Sequence, residues 1–384
     1  MTIQVLLTEP DYVGQLYPMS ETSAAWELRL GMFSILERWQ TSVPDVVCTV
    51  TSHRHDVLES FEERVQVAPF APFPTLSVLG NVLLAPAVMR QMIDVCRNSA
   101  RSVVFLIDDS PIAAWIPHPA VSTTALAAAM EQPDAADIVL IEGYVVTRLW
   151  QAFDVMPTVI GWDAELLPRR HSFSDQPNVV VDERHGPVLF GDNVHVEPFT
   201  TLIGPLAIGN GTQIKSHSRI SSSTIGPTCK IAGEIEDSIF HGFANKQHDG
   251  FVGHSWIGSW VNLGAGTTTS DLKNTYGEVH VSMPWSDENT GRMLLGTLMG
   301  DHSKTAIGTR LTTGSVIGCF ANIVTSTFAP RAVLSFSWCT ENSVVPYSVD
   351  RALQTAHTVM RRRNVRMKET TEQLYRSIAE ARRD

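Results

Sequence analysis

Several things are scarce in this sequence, and each shortage excludes a class of function. No segment approaches the ~20 consecutive apolar residues that cross a bilayer, and the opening MTIQVLLTEPDYVG lacks the basic start and apolar core of a secretion signal. A cytoplasmic protein with no membrane partner is expected. Basic residues are few: 29 Lys and Arg face 40 Asp and Glu, and the net charge of -11 repels nucleic acid. A small anion can still find a local basic pocket. The five cysteines, Cys48, Cys96, Cys229, Cys319 and Cys339, are widely spaced with no CxxC pair. Neither a disulfide framework nor a zinc site is expected, and the thiols read as reduced core residues. Charged residues make up 18% and hydrophobic ones 43%, so the 384 residues should fold as an ordinary globular protein of two or three domains.

What is present changes character at about residue 186. Phe190, Val196, Leu202, Ile208, Ile214 and Ile220 recur every six residues, with Gly191, Pro198, Gly204, Pro205, Gly209 and Gly211 between them. Those breakers forbid helices and force short strands to turn. An aliphatic residue every six positions is the hexapeptide signature of a parallel β-helix, whose coils bury one aliphatic ladder. The pattern slips by one at Ile225 and Ile231, then runs irregularly through Ile239, Ile257, Leu263, Ile307, Val316, Ile317 and Ile323. Residues 282–298 read as a loop leaving the coil, where functional groups concentrate.

The first half alternates apolar runs (IQVLLTE, VVFLID, DIVLIEGYVV) with amphipathic stretches such as AAWELRLGMFSILERWQ and AVMRQMIDVCRN. Short buried strands alternating with helical periods predict an α/β domain with a largely parallel sheet. Residues 163–188, with Arg169, Arg170 and His171, read as a connector. RALQTAHTVMRRRNV and KETTEQLYRSIAEARRD close the chain as helices, and their basic stretch at Arg361, Arg362, Arg363 and Arg366 reads first as a solvated face, second as a phosphate site. The expected organisation is 1–175, 186–345 and a helical tail at 346–384.

Polar residues crowd into 232–281. With coils of roughly 18 residues, Glu234, His248 and Asn262 can lie on successive coils near one edge. A carboxylate, an imidazole and a carboxamide would then come within reach. A histidine titrating near neutrality makes a good general base, and Gly250, Gly253, Gly264 and Gly266 admit a ligand close to backbone N–H groups able to hold an oxyanion. An isolated histidine ordinarily caps a turn. Here the dense cluster and the aromatic Phe251, Trp256 and Trp260, able to wall a pocket, give the catalytic reading equal weight. His241, His254 and His302 show no metal-binding spacing.

The run NKQHDGFVGHSWIGSWVNLGAGTTTSDLKNTYGEV, with MGDHSKTAIGTRLTTGSVIG, SFSW and the early LYPMSETSAAWELRLGMFSILERW, closely resembles the alternative GlmU-like family. Those proteins are described as UDP-N-acetylglucosamine diphosphorylase/glucosamine-1-phosphate N-acetyltransferases. The resemblance implies an α/β, Rossmann-like nucleotidyltransferase domain joined to a left-handed parallel β-helix with C-terminal helices. It also implies a homotrimer with acyltransferase sites at subunit interfaces and acetyl-CoA as donor. By this similarity His248 is the general base, Glu234 the carboxylate that orients it and Asn262 the asparagine of the NxGAGT stretch. Ala265 and Thr309 fall where acetyl-CoA is contacted. Lys246, Asp271, Lys273, Asn274, Tyr276 and Lys304 are substrate-contact candidates, each also explicable as a polar rung.

Two departures qualify the resemblance. Asp271 stands where the family usually has asparagine, which removes two donors, adds charge and implies a different acceptor. The amino-terminal LTEPDYVGQLYPMSETSAAWELR lacks the Gly-rich loop and Pro-Lys that hold a triphosphate, leaving Arg29 as candidate phosphate cation, although a lone arginine on an amphipathic helix reads first as a surface residue. If GNVLLAP matches the family's Asn-Gly-Arg-like stretch, Asn81 stands there without an aspartate. If IDDSPI matches its Gly-Asp-Val-Pro stretch, Asp109 would hold Mg2+. Segment order favours the first. The expected function is acyl transfer to an amino-sugar phosphate or nucleotide-linked amino sugar beside a degenerate nucleotidyltransferase domain. Active nucleotidyl transfer on a trimerisation scaffold, and a non-catalytic sugar-nucleotide binder, are the alternatives.

Overall fold

The computed structural model describes residues 2–118, 136–167 and 178–382. Arg169, Arg170 and His171 of the expected connector lie outside them. The chain divides into two compact units, one of Met1–Val13, Ser23–Leu28 and Phe33–Thr147, the other of Gly14–Thr22, Arg29–Met32 and Arg148–Asp384.

The first unit is α/β. Its six-stranded sheet runs in the order Val47–Thr51, Gln4–Thr8, Thr75–Leu79, Ser110–Ile116, Val103–Ile107 and Asp137–Leu140. The first three strands are parallel, with Leu6 opposite both Thr49 and Ser77. Ser110–Ile116 runs antiparallel to both its neighbours, so the sheet is more mixed than the sequence pattern predicts. Helix Pro86–Asn98 keeps its amphipathic promise, burying Met89, Met92, Ile93 and Cys96 behind a proline at the first helical turn. The stretch AAWELRLGMFSILERWQ is not one helix. Gly31 turns the chain with φ 70, and the helix begins only at Ile35. There the Ser34 hydroxyl accepts from the Glu37 N–H and the Glu37 carboxylate accepts from the Ser34 N–H, a capping box that satisfies two orphan donors.

The second unit stacks short parallel strands in three columns, and these fit a left-handed β-helix. One column runs from Val179–Asp182 through Thr200–Ile203, Arg219–Ser221 and Glu234–Glu236 to Phe251–Gly253. The second is the longest, eight strands from Val188–Phe190 to Ala332–Val333. In the third, His195–Val196, Gln213–Ile214, Lys230–Ile231 and Asn245–Lys246 continue through single bridges at Asn262 to Lys304–Thr305 and beyond. Aliphatic side chains fill the interior: Leu202, Ile220, Ile235 and Val252 lie in register on the first column, all fully buried. The slip at Ile225 and Ile231 is taken up in the turns, because those residues pair in register with Ile208 and Ile214. Ile307 does not join the ladder; it is 81% exposed.

The excursion begins earlier and ends sooner than 282–298. It leaves after Thr268–Thr269, forms an antiparallel hairpin of His280–Ser282 with Asp287–Asn289, and returns at Thr297–Met299. At one corner Phe243, Trp260, His302, Phe320 and Phe336 take positive φ values, and successive rings stack face to face. Helices Val349–Arg361 and Glu369–Glu380 follow, and Tyr375 sets its ring edge-on to His302 and Phe320. All five cysteines are free and buried. Among the described residues no helix is long and apolar enough to cross a membrane.

Candidate functional site

The β-helix brings the three leading candidates around one corner without stacking them in one column. Glu234 opens its strand on the first column, in register with Arg219 and Phe251, and its carboxylate lies 3.4 Å from Arg219 Nη1. Asn262 lies on the third column between Asn245 and Lys304, and its Oδ1 accepts from Asn245 Nδ2 at 2.6 Å. His248 is exposed in the turn that carries the chain from Asn245–Lys246 to Phe251–Gly253, with Asn262 one coil after that third-column strand and Glu234 one coil before that first-column strand. Gly250 makes this turn possible with φ 113; a side chain there would collide with the Thr267 carbonyl, 2.2 Å from its first carbon.

Lys246 is not at the surface. It occupies the interior position in register with Ile231, is 1% exposed, and donates from Nζ to the carbonyls of His248 at 2.7 Å and Asp249 at 3.0 Å. Burial lowers its pKa to about 8. Lys304 behaves similarly: burial brings it to about 8 while Nζ donates to the His302 carbonyl at 2.6 Å. Thr309 is fully buried, its hydroxyl spent on the Ala306 carbonyl at 2.9 Å, whereas Ala265 is half-buried and its carbonyl accepts from the Gly308 N–H. Lys273, Asn274 and Tyr276 are carried on the excursion; Lys273 Nζ donates to the Glu278 carbonyl, Asn274 is exposed and Tyr276 is 66% exposed.

Asp271 has a partner that the motif comparison did not suggest. Its Oδ2 lies 2.8 Å from His254 Nδ1, and the Nε2 of the same ring lies 3.7 Å from Asp237 Oδ2. Burial pushes the Asp237 carboxyl above its ordinary range, while His254 pulls the other way. His254 and Asp271 are 17 residues apart, one coil, and that interval was the available signal. Among the described residues no group of three or more His, Cys, Asp or Glu side chains is placed to hold a metal ion.

The candidates in the first half are differently placed. Asn81 is fully buried, its Nδ2 donating to the Val146 carbonyl at 2.9 Å and to Tyr12 Oη at 3.2 Å. Asp109 is exposed in the tight turn between Val103–Ile107 and Ser110–Ile116. Arg29 is on a two-residue strand rather than a helix, and its Nη1 donates to the Met32 carbonyl at 2.7 Å. The stretch Gly14–Thr22, which stands in place of a triphosphate loop, packs within the second unit. Glu21 accepts there from the Ser335 hydroxyl and the Cys319 N–H, and Thr22 Oγ1 donates to Asp301 at 2.8 Å. Burial pushes the Glu21 carboxyl upward. In the tail, Arg361 and Arg366 line a surface cavity of about 630 Å³ with His357, and Arg363 donates to the Thr228 carbonyl.

Residues 5–172 match the family model described as Sugar nucleotidyl transferase. A curated relative, the Bifunctional sugar-1-phosphate nucleotidylyltransferase/acetyltransferase of Sulfurisphaera tokodaii, is 30% identical over 143 residues, 37% of this chain. The chain is similar to both over part of its length. The matched part spans 30% of that relative's length. The family match falls on the α/β half, and the parallel coils follow it.

Proposed function

We propose that this chain is a sugar-nucleotide pathway transferase whose β-helix moves an acyl group, acetyl in the simplest case, from acyl-CoA to the amine of an amino-sugar phosphate or nucleotide-linked amino sugar. The observation that carries the reading is the corner at His248, an exposed imidazole between coils bearing Glu234 and Asn262. His248 accepts a proton from the attacking neutral amine as its nitrogen forms the bond to the thioester carbonyl. Collapse of the tetrahedral intermediate breaks the C–S bond, and the departing thiolate takes the proton. Backbone N–H groups of the glycine-rich turns hold the oxyanion, and Asn262 offers a carboxamide to the donor or acceptor. A homotrimer, with each site completed by a neighbouring copy, agrees with the exposure of His248 on a single chain.

The bifunctional name of the archaeal relative supports the acyl-transfer reading, and the match over 5–172 supports a second activity, nucleotidyl transfer from a nucleoside triphosphate to a sugar 1-phosphate. We give that second activity less weight. Asn81 is buried with its Nδ2 donating to the Val146 carbonyl, Glu21 and Thr22 are packed within the second unit, and Asp109 is exposed in a hairpin turn beside Asp108, where among the described residues no third His, Cys, Asp or Glu gathers to hold Mg2+.

The test is release of coenzyme A thiol from acetyl-CoA with a panel of amino-sugar 1-phosphates and nucleotide-linked amino sugars, for wild type and His248→Ala. Sugar-dependent release that falls at least a hundredfold in the variant supports acyl transfer. No release with any acceptor overturns it, and Mg2+-dependent pyrophosphate release would then establish the second activity in its place.

A further inference from the structure

The third column of the β-helix is apolar on its inner side at Val196, Ile214 and Ile231, and the next inner position in register is Lys246. An ammonium in an aliphatic slot is disfavoured by desolvation. The slot is shaped for it nonetheless. Gly233, at φ 84, leaves open the space beside the ammonium; a Cβ there would stand 2.9 Å from Nζ.

The ammonium is directed at two carbonyls, those of His248 and Asp249, at 2.7 and 3.0 Å. Both residues lie at an exposed corner, where water is able to satisfy a carbonyl at little cost. Satisfying those oxygens therefore does not by itself account for a buried lysine. What the lysine adds over water is a covalent tether to the coil: the corner carrying His248 is held from inside at two successive peptide units.

We propose that Lys246 is the positioning residue of the acyl-transfer site, an internal brace that fixes the turn bearing His248. The inference rests on the reading of His248 as general base. It also replaces the expectation that Lys246 touches a ligand, since a side chain 1% exposed and turned into the coil reaches none.

The experiment compares wild type, His248→Ala, Lys246→Met and Lys246→Gln. Methionine fills the slot without a donor, and glutamine keeps a donor on a shorter arm. Steady-state CoA release gives kcat and KM, and hydrogen–deuterium exchange reports on residues 247–251. The expected result for a folded Lys246→Met is at least tenfold faster exchange confined to that turn, and a kcat about ten- to a hundredfold lower. KM for acetyl-CoA should stay within twofold, with Lys246→Gln falling between. Wild-type exchange at 247–251, or faster exchange with unchanged kcat, overturns the proposal while an inactive His248→Ala leaves acyl transfer standing. Wild-type turnover by His248→Ala overturns His248 as the general base, and the positioning role with it, while no release by the wild type overturns acyl transfer itself. Reductive methylation of the wild type needs no variant to fold: Lys246 should label at least tenfold more slowly than exposed Lys368, and equal rates overturn the brace.

Discussion

The Asp271 carboxylate lies 2.8 Å from His254 Nδ1, although one full coil of the β-helix separates the two residues in sequence. The side chains of both are mostly shielded, at 13% and 16% exposure, and Gly253 makes room for the carboxylate: a Cβ there would lie 2.3 Å from Asp271 Oδ2. The pair thus ties the start of the excursion to the coil beneath it.

Replacing Asp271 with asparagine keeps the shape and removes the charge from this hydrogen bond. The expected cost is about 1 kcal/mol, read as a lowered midpoint in denaturant unfolding. A midpoint equal to wild type would show that the pair adds nothing to stability.

The aliphatic ladder makes a sharper contrast. Ile220 is fully buried between Leu202 and Ile235, so Ile220→Ala should cost about 2–5 kcal/mol through lost transfer energy and a cavity. Ile307→Ala, at a position that is 81% exposed, should stay within about 0.5 kcal/mol of wild type. Similar losses at both sites would contradict the coil register.

His302 is buried in the aromatic stack with its pKa held well below the ordinary histidine value by desolvation. Below pH ~6.5 the unfolded chain takes up a proton that the folded chain refuses. Folding stability from this residue is therefore complete above that pH and is lost as the pH falls. His302→Phe, which continues the stack between Trp260 and Phe320, should remove that dependence. Melting temperatures from pH 7.5 to 5 should fall less steeply in the variant, and parallel slopes would refute the assignment.

Lys246 predicts a trend at the alkaline end. Its folded pKa of about 8 lies below the 10.5 of a free lysine, so between those values the unfolded state holds more protons and wild-type stability rises with pH. Lys246→Met has no such group. The stability of wild type relative to Lys246→Met should therefore rise from pH 8 to 10, measured by chemical unfolding at each pH. A constant difference would mean that the ammonium is not desolvated.

The sequence by itself was sufficient for the architecture wherever a local period reports burial. Every sixth residue from Phe190 to Ile220 is apolar because each coil must seal one interior, and that requirement is written locally. Helix Pro86–Asn98 was equally legible, from the three- and four-residue spacing of Met89, Met92, Ile93 and Cys96. The run around His248 was legible as a resemblance to a family motif.

Only the tertiary structure decided what depends on register between coils or on packing at a distance. Lys246 reads as a substrate contact or a polar rung until the pairing with Ile231 turns it inward. His254 and Asp271 become partners only because one coil places them side by side. Asn81 looks like a ligand contact in a motif, yet the Val146 carbonyl and Tyr12 hydroxyl claim its amide. Glu21 and Thr22 look like part of a nucleotide loop, yet Ser335 and Asp301, some three hundred residues later, hold them. In each case the partner is distant in sequence, and single-residue periodicity carries no information about which distant group will be there.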